Sequence, residues 1–259
     1  MIYQGPALTL ATQVQRMGFR GLLTWPAVVA LLRTAFDDAS GTQRAAVVAF
    51  VIRVAGAGIA LLTQVLLARW LGTYEFGIYA YVWTWVILLG SLIDFGFATT
   101  AQRFIPEYTG HKAFNLLRGF LTGSRWIVVV ISTALAGAAA LVIHFAEPWV
   151  NHFVVLPLYL GCITLPLYGL TMVQDGIARS YNWINLALMP LYIVRPIAIV
   201  VLMGAAHFAG FSTSAVTAVT ASIIATWATA IVQLFMLDRR LKGVAVSYTH
   251  LTLPTKRIV

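Results

Sequence analysis

Charge is what this chain has least of. Asp, Glu, Lys and Arg together make up 10% of its 259 residues, against 60% hydrophobic, and the mean hydropathy is +0.86. Soluble domains carry about a quarter charged residues, so the scarcity argues against a water-soluble fold. Acids are scarcest, eight in all, and no two fall within one helical repeat inside an apolar stretch. The single cysteine, Cys162, can close no intrachain disulfide, and no metal-ligand spacing surrounds it. A Walker A loop, GxSxG, HExxH and CxxC are all missing, and the five histidines are scattered. Hydrolytic, nucleotide and metal chemistry therefore have no residues to rest on. The expectation is a protein that is not an enzyme and uses no cofactor.

What the chain has instead is long apolar runs. A hydrocarbon core of about 30 Å takes roughly 20 apolar helical residues to cross. Six such stretches occur, at residues 45–67, 78–97, 126–145, 154–172, 184–206 and 215–236. In lipid the backbone must satisfy its own polar groups, which leaves helices or a closed barrel. Barrel strands alternate polar and apolar residues over about ten positions, and these runs do not. The predicted fold is all-α, a polytopic membrane protein whose six transmembrane helices form one lobe over residues 45–245.

The formal net charge of +9 would suggest nucleic acid in a soluble protein. Here it sorts by membrane side. Arg16, Arg20, Arg33 and Arg44 precede the first span. Arg103, Lys112, Arg118 and Arg125 lie between the second and third. Arg179 follows the fourth, and Arg239, Arg240 and Lys242 follow the sixth. The alternate loops hold only Arg69. The positive-inside rule then predicts a cytoplasmic N-terminus, and no nucleic-acid partner is expected. Residues 1–44 read as a cytoplasmic extension whose short apolar run, 21–32, suits an interfacial helix. Residues 111–125 place Phe114, Leu117 and Leu121 on one face, as either an interfacial helix or a cytoplasmic extension of span three.

Inside the membrane an arginine costs about 2.5 to 3.5 kcal/mol even on the lenient insertion scale, so Arg53 and Arg195 stand out. On helix one, Ala46, Ala49, Arg53, Gly56, Ala57, Ala60 and Gln64 share a small, polar face, and Phe50, Val54 and Leu61 lie opposite. Such a face must meet protein or a watery cavity. Arg195 is flanked by Pro190 and Pro196, which predict a kink there. Guanidinium groups grip phosphate oxygens through forked, charge-assisted bonds. Arg53 and Arg195, with Gln64, are accordingly candidate substrate-binding residues. A structural ion pair with Asp94, or snorkelling of Arg53, would explain the same positions. Asp94 itself suits either a coupling-ion site or a role in capping and packing the helix end. Ser222, Thr226, Thr229 and Gln233 recur at helical spacing, a pattern that serves interhelix packing or ligand contact. Pro157 and Pro166 mark a flexible or kinked fourth span.

The run Arg53, Leu62, Gln64, Ala68, Arg69, Trp70, Leu71, Gly72, Tyr74, Glu75, Phe76, Gly77, Ile78, Tyr79 resembles the opening of bacterial polysaccharide-biosynthesis flippases. Asp94, Phe95, Gly96, Arg103, Phe104, Ile105, Pro106 and Glu107 are similar to that family's second-helix ending. Gln174, Asp175, Gly176, Ile177, Ala178 and Arg179 resemble the segment after its fourth helix. The resemblance implies two six-helix lobes around a central cavity, in the superfamily that also holds multidrug extruders. It implies movement of undecaprenyl-pyrophosphate-linked oligosaccharide across the inner membrane, without an ATPase domain. A first-helix arginine that engages the lipid phosphate corresponds to Arg53; Arg195 has no clear counterpart. The implied partners are lipid-linked oligosaccharide, a C-terminal lobe beyond this sequence, a polysaccharide polymerase and glycosyltransferases. A cation-coupled multidrug extruder and a non-transporting membrane scaffold are the alternatives. The tail, 246–259, resembles the translation of a transposon-end sequencing adapter and is set aside as non-native.

Overall fold

The computed structural model describes the backbone at residues 41–94 and 96–251, and side chains at 44–93 and 96–242. The extension over 1–40, the side chains of Asp94 and Phe95, and most of the tail lie outside the described residues. The chain divides into two compact units, Met1–Val51 and Ile52–Val259. In the first, residues 41–51 are helical. Every contact below lies in the second.

The helices are α1 (Gly41–Asp94), α2 (Phe97–Gly110), α3 (Phe114–Ala146), α4 (His152–Ser180), α5 (Ile184–Met189), α6 (Arg195–Phe208) and α7 (Ala215–Leu251). A π-helical turn, Pro190–Val194, joins α5 to α6. The six apolar runs fall within five helical stretches long and apolar enough to cross a membrane. The first stretch, Arg44–Gly110, runs for 67 residues, enough for two crossings. It breaks at Gly72, where φ is 75° and ψ is 170°. That backbone is strained for any residue with a Cβ, so glycine allows the chain to turn there without a loop.

Side-chain contacts give the direction of the two arms of α1. In the first arm Gly56 lies against Tyr192, Thr63 reaches Pro196, and Trp70 lies beside Gly204. The paired numbers rise together, so this arm runs parallel to α5 and α6. In the second arm the carboxylate of Glu75 accepts from the Ala215 N–H at 2.6 Å, and Tyr79 bonds Ser222 at 3.2 Å. This arm runs parallel to α7. Since α6 and α7 are packed neighbours joined by residues 209–214, the chain reverses at Gly72.

The Glu75 carboxylate thus closes the N-terminus of α7, where unpaired N–H groups and the helix dipole favour an anion. Glu75→Ala is expected to lower stability by about 1 kcal/mol, read as a drop in the thermal midpoint of the detergent-solubilised protein. An unchanged midpoint would show the cap contributes nothing.

Helices α4 and α7 form the centre of the lobe. Half of the membrane-crossing window of each is buried, against about a tenth for α1 and α3. Helix α4 packs on α2, α3, α5 and α7, and Pro157 and Pro166 lie inside one helical stretch. Leu67, Leu71, Ile78, Tyr79 and Val82 of α1 pack with Ile199 and Met203 of α6 and Ala218 and Val219 of α7.

Two further differences from the sequence reading concern the basic-rich end of the bundle. Residues 97–110, which apart from Phe97 the sequence places in the connection between spans two and three, form the amphipathic helix α2, with Ala101 and Ile105 buried against the bundle. It follows Gly96, whose left-handed φ of 78° turns the chain. Residues 114–125 belong to one continuous helix with span three, which decides for the extension over a separate interfacial helix.

Candidate functional site

The first arm of α1 presents three faces. Ile52, Gly56, Thr63 and Leu67 are buried in the lobe. Val54 and Leu61 are exposed apolar residues, suited to lipid. Between these two faces lie Arg53, Ala57, Ala60 and Gln64, all exposed. Gly56 therefore leaves the small face that the sequence suggested and becomes a packing residue. Among the described residues no carboxylate pairs with Arg53. The alternative pairing with Asp94 falls outside the described side chains.

Arg195 is placed differently. The π-helical turn sits between its two prolines, where the sequence predicts an irregularity. Pro190 has no N–H to give the Leu186 carbonyl one turn back. Gln233 of α7 takes its place, donating from Nε2 to the Leu186 oxygen at 3.1 Å. The distorted turn is therefore satisfied from a neighbouring helix, and Arg195 follows it directly.

The guanidinium of Arg195 points into the bundle between two rings. Its Cζ lies 5.4 Å from the Trp83 ring centre and 5.6 Å from that of Tyr168. Both distances suit cation–π attraction, which is worth about 2 kcal/mol when water is excluded. Trp83 stacks in turn on Tyr79, with ring centres 6.3 Å apart and planes 11° from parallel. The Tyr168 ring rests against Gly90. Nε and Nη1 of Arg195 are buried and have no hydrogen-bond partner. The charge is thus held by π faces rather than by a carboxylate, and two of its donor atoms remain unused.

Arg53 and Arg195 do not share one pocket within this lobe. With Gly56 and Tyr192 level, Arg53 sits three residues to one side and Arg195 three to the other, an offset of roughly 9 Å along the helices. Arg53 faces outward and Arg195 inward. Gln64 lies on the Arg53 face, and Asp94 ends α1. The Ser222, Thr226, Thr229 and Gln233 stripe is buried inside the lobe, where Ser222 and Gln233 bind other helices. That arrangement is interhelix packing.

Sequence reasoning missed Trp83 and Tyr168 as the seat of Arg195. The signal available was the i, i+4 pair Tyr79 and Trp83 on one face of the second apolar run.

The bundle defines a multi-pass α-helical membrane protein. Among the described residues no group of three or more His, Cys, Asp or Glu could hold a metal ion. The sequence model of the polysaccharide biosynthesis protein family matches residues 43–257, and the chain belongs to that family. No curated protein and no solved structure gives a significant match.

Proposed function

We propose that this chain is a lobe of a flippase that carries undecaprenyl-pyrophosphate-linked oligosaccharide across the bacterial inner membrane, with its N-terminus in the cytoplasm. The observation that carries the reading is the exposed Arg53, Ala57, Ala60, Gln64 face. Small side chains give a bulky headgroup room, and an unpaired guanidinium offers a forked grip on pyrophosphate. Family membership supports the polysaccharide part of the reading, and the apolar flank at Val54 and Leu61 suits the lipid part.

In this reading the protein carries out no covalent chemistry and uses no cofactor. A second lobe covers the Arg53 face, and residues 246–259 contribute nothing. Polymerase and glycosyltransferases act on either side of the transport step. The chain alone binds substrate and does not transport it.

The test is Arg53→Ala in the complete gene. Losing a charge-assisted fork of about 1.5 to 3 kcal/mol should cut polysaccharide export at least tenfold while membrane insertion stays normal. Export at the unaltered level would remove Arg53 from the transport path.

A further inference from the structure

At the basic-rich end of the bundle the helices leave an open groove. Helices α3 and α7 both pack on α4, so α4 supplies the floor and the other two the walls. The groove has a volume of about 330 Å³, with Thr122, Arg125 and Trp126 on one wall, Asp238 on the other and Leu170 of α4 between them. Nη1 of Arg125 donates to Oδ1 of Asp238 at 2.7 Å, joining the walls. This ion pair sets the two helices level with each other. It also neutralises Asp238, the one carboxylate among the lining residues.

The apolar stretch of α3 begins at Trp126 and that of α7 ends at Met236, so positions before Arg125 and after Asp238 both lie toward water. Thr122 is three residues before Arg125 and Lys242 four residues after Asp238, which puts them about 4.5 Å and 6 Å beyond the ion pair at the mouth. Lys242 keeps the helix face of Asp238 one turn on, and Arg118 keeps that of Thr122 one turn back. Both cations are exposed, and among the described residues no carboxylate pairs with either. The neighbouring arginines are engaged elsewhere. Arg239 lies over the Phe235 ring at 4.2 Å and Arg240 over that of Trp183 at 5.5 Å, while Arg179 is held by Asp175. They add positive field without lining the mouth. One turn to the other side of the ion pair, Val129 and Leu234 make the walls apolar. Trp126, 67% exposed, suits the depth at which tryptophan meets lipid headgroups.

We propose that this groove binds one anionic phospholipid, its phosphodiester among the Thr122 hydroxyl, the Lys242 ammonium and the Arg118 guanidinium, and an acyl chain along Val129, Leu170 and Leu234. Charge selects the occupant. With Asp238 occupied by Arg125, the mouth holds two free cations and no free anion, so a headgroup of net negative charge is attracted. The ammonium of a zwitterionic lipid would meet like charge there. The apolar end selects a lipid over a soluble phosphate. The site does not depend on what the lobe transports.

The test is native mass spectrometry of the detergent-solubilised chain given equal amounts of phosphatidylglycerol, phosphatidylcholine and phosphatidylethanolamine with matched acyl chains. Phosphatidylglycerol should be retained as a single bound lipid, about tenfold over the other two. The double variant Arg118→Gln, Lys242→Gln should lose that preference. The double variant Arg239→Gln, Arg240→Gln removes the same charge from the same end of the bundle and should keep it. Millimolar glycerol phosphate should not displace the lipid. Equal retention of the three lipids by the unaltered protein overturns the proposal, and that comparison needs no variant to fold. Equal behaviour of the two double variants would make the attraction a diffuse field rather than a site, and overturns it too, as does displacement by glycerol phosphate.

Discussion

Arg195→Met is expected to leave the fold at least as stable as before and to abolish transport. Two effects oppose each other at this position. The guanidinium gains from the faces of Trp83 and Tyr168, about 2 kcal/mol in a dry setting. Against that stands the cost of an arginine in the membrane, about 2.5 to 3.5 kcal/mol, and the two buried nitrogens that find no acceptor. Methionine has similar length, fills irregular gaps and makes favourable contacts with aromatic rings. Replacing a poorly satisfied buried charge with a well-packed apolar side chain is often neutral or stabilising. On the flippase reading proposed above, it is transport and not the fold that uses the charge of Arg195. The measurement is a thermal melt of the purified protein beside an export assay in the complete gene. A clearly lower melting point with export intact would assign Arg195 a purely structural role. Trp83→Leu supplies the opposite sign: it strips one face from a charge that stays, and should destabilise by about 1–2 kcal/mol.

Gly176→Val should be the most damaging single change in the described lobe. A Cβ on Gly176 would stand 2.5 Å from the Cα of Ala98, 2.8 Å from its oxygen and 3.0 Å from its carbonyl carbon. All three are backbone atoms of α2, which has no rotamer with which to yield. The helices must separate, and α2 loses the contact that seats it on α4. Overpacking of this kind costs about 1–3 kcal/mol with flexible neighbours, and backbone on both sides puts the valine variant at about 3 kcal/mol or more. The expected result is a large fall in folded yield and a melting point lower by many degrees. Gly137→Ala is the control. Nothing lies within 4 Å of its added methyl, and it should gain about 0.5–1 kcal/mol from removing a mid-helix glycine. Similar behaviour of the two variants would mean that the α2–α4 approach is not a determinant of the fold.

The apolar runs were legible in the sequence because hydrophobic length is a direct response to bilayer thickness. The irregularity before Arg195 was legible too, since proline lacks the donor that the Leu186 carbonyl needs. The rest required neighbours in space. Gly72 announces a turn, but nothing local says that one residue suffices; that follows from Glu75 finding the end of α7. Helix α2 was hidden by Pro106 and by a composition too polar for a span, and its identity as a helix shows once Ala101 and Ile105 have α4 to lie on. The polar face of α1 was correct in outline at Arg53, Ala57, Ala60 and Gln64. Gly56 departed from it because Tyr192 needs its missing side chain. For Arg195 the sequence supplied the cost of the charge but not the rings that carry it, which come from two other helices.

The break at Gly72 also fixes how force would pass through the lobe. A loop of several residues would give slack, and one crossing could slide or roll while the next stayed still. Here a single residue outside helical geometry couples the two arms. An axial pull on the arm bearing Arg53 reaches the arm bearing Trp83 through one residue, and Trp83 faces Arg195. The outward cation and the inward one are therefore mechanically in series, two points on one folded rod.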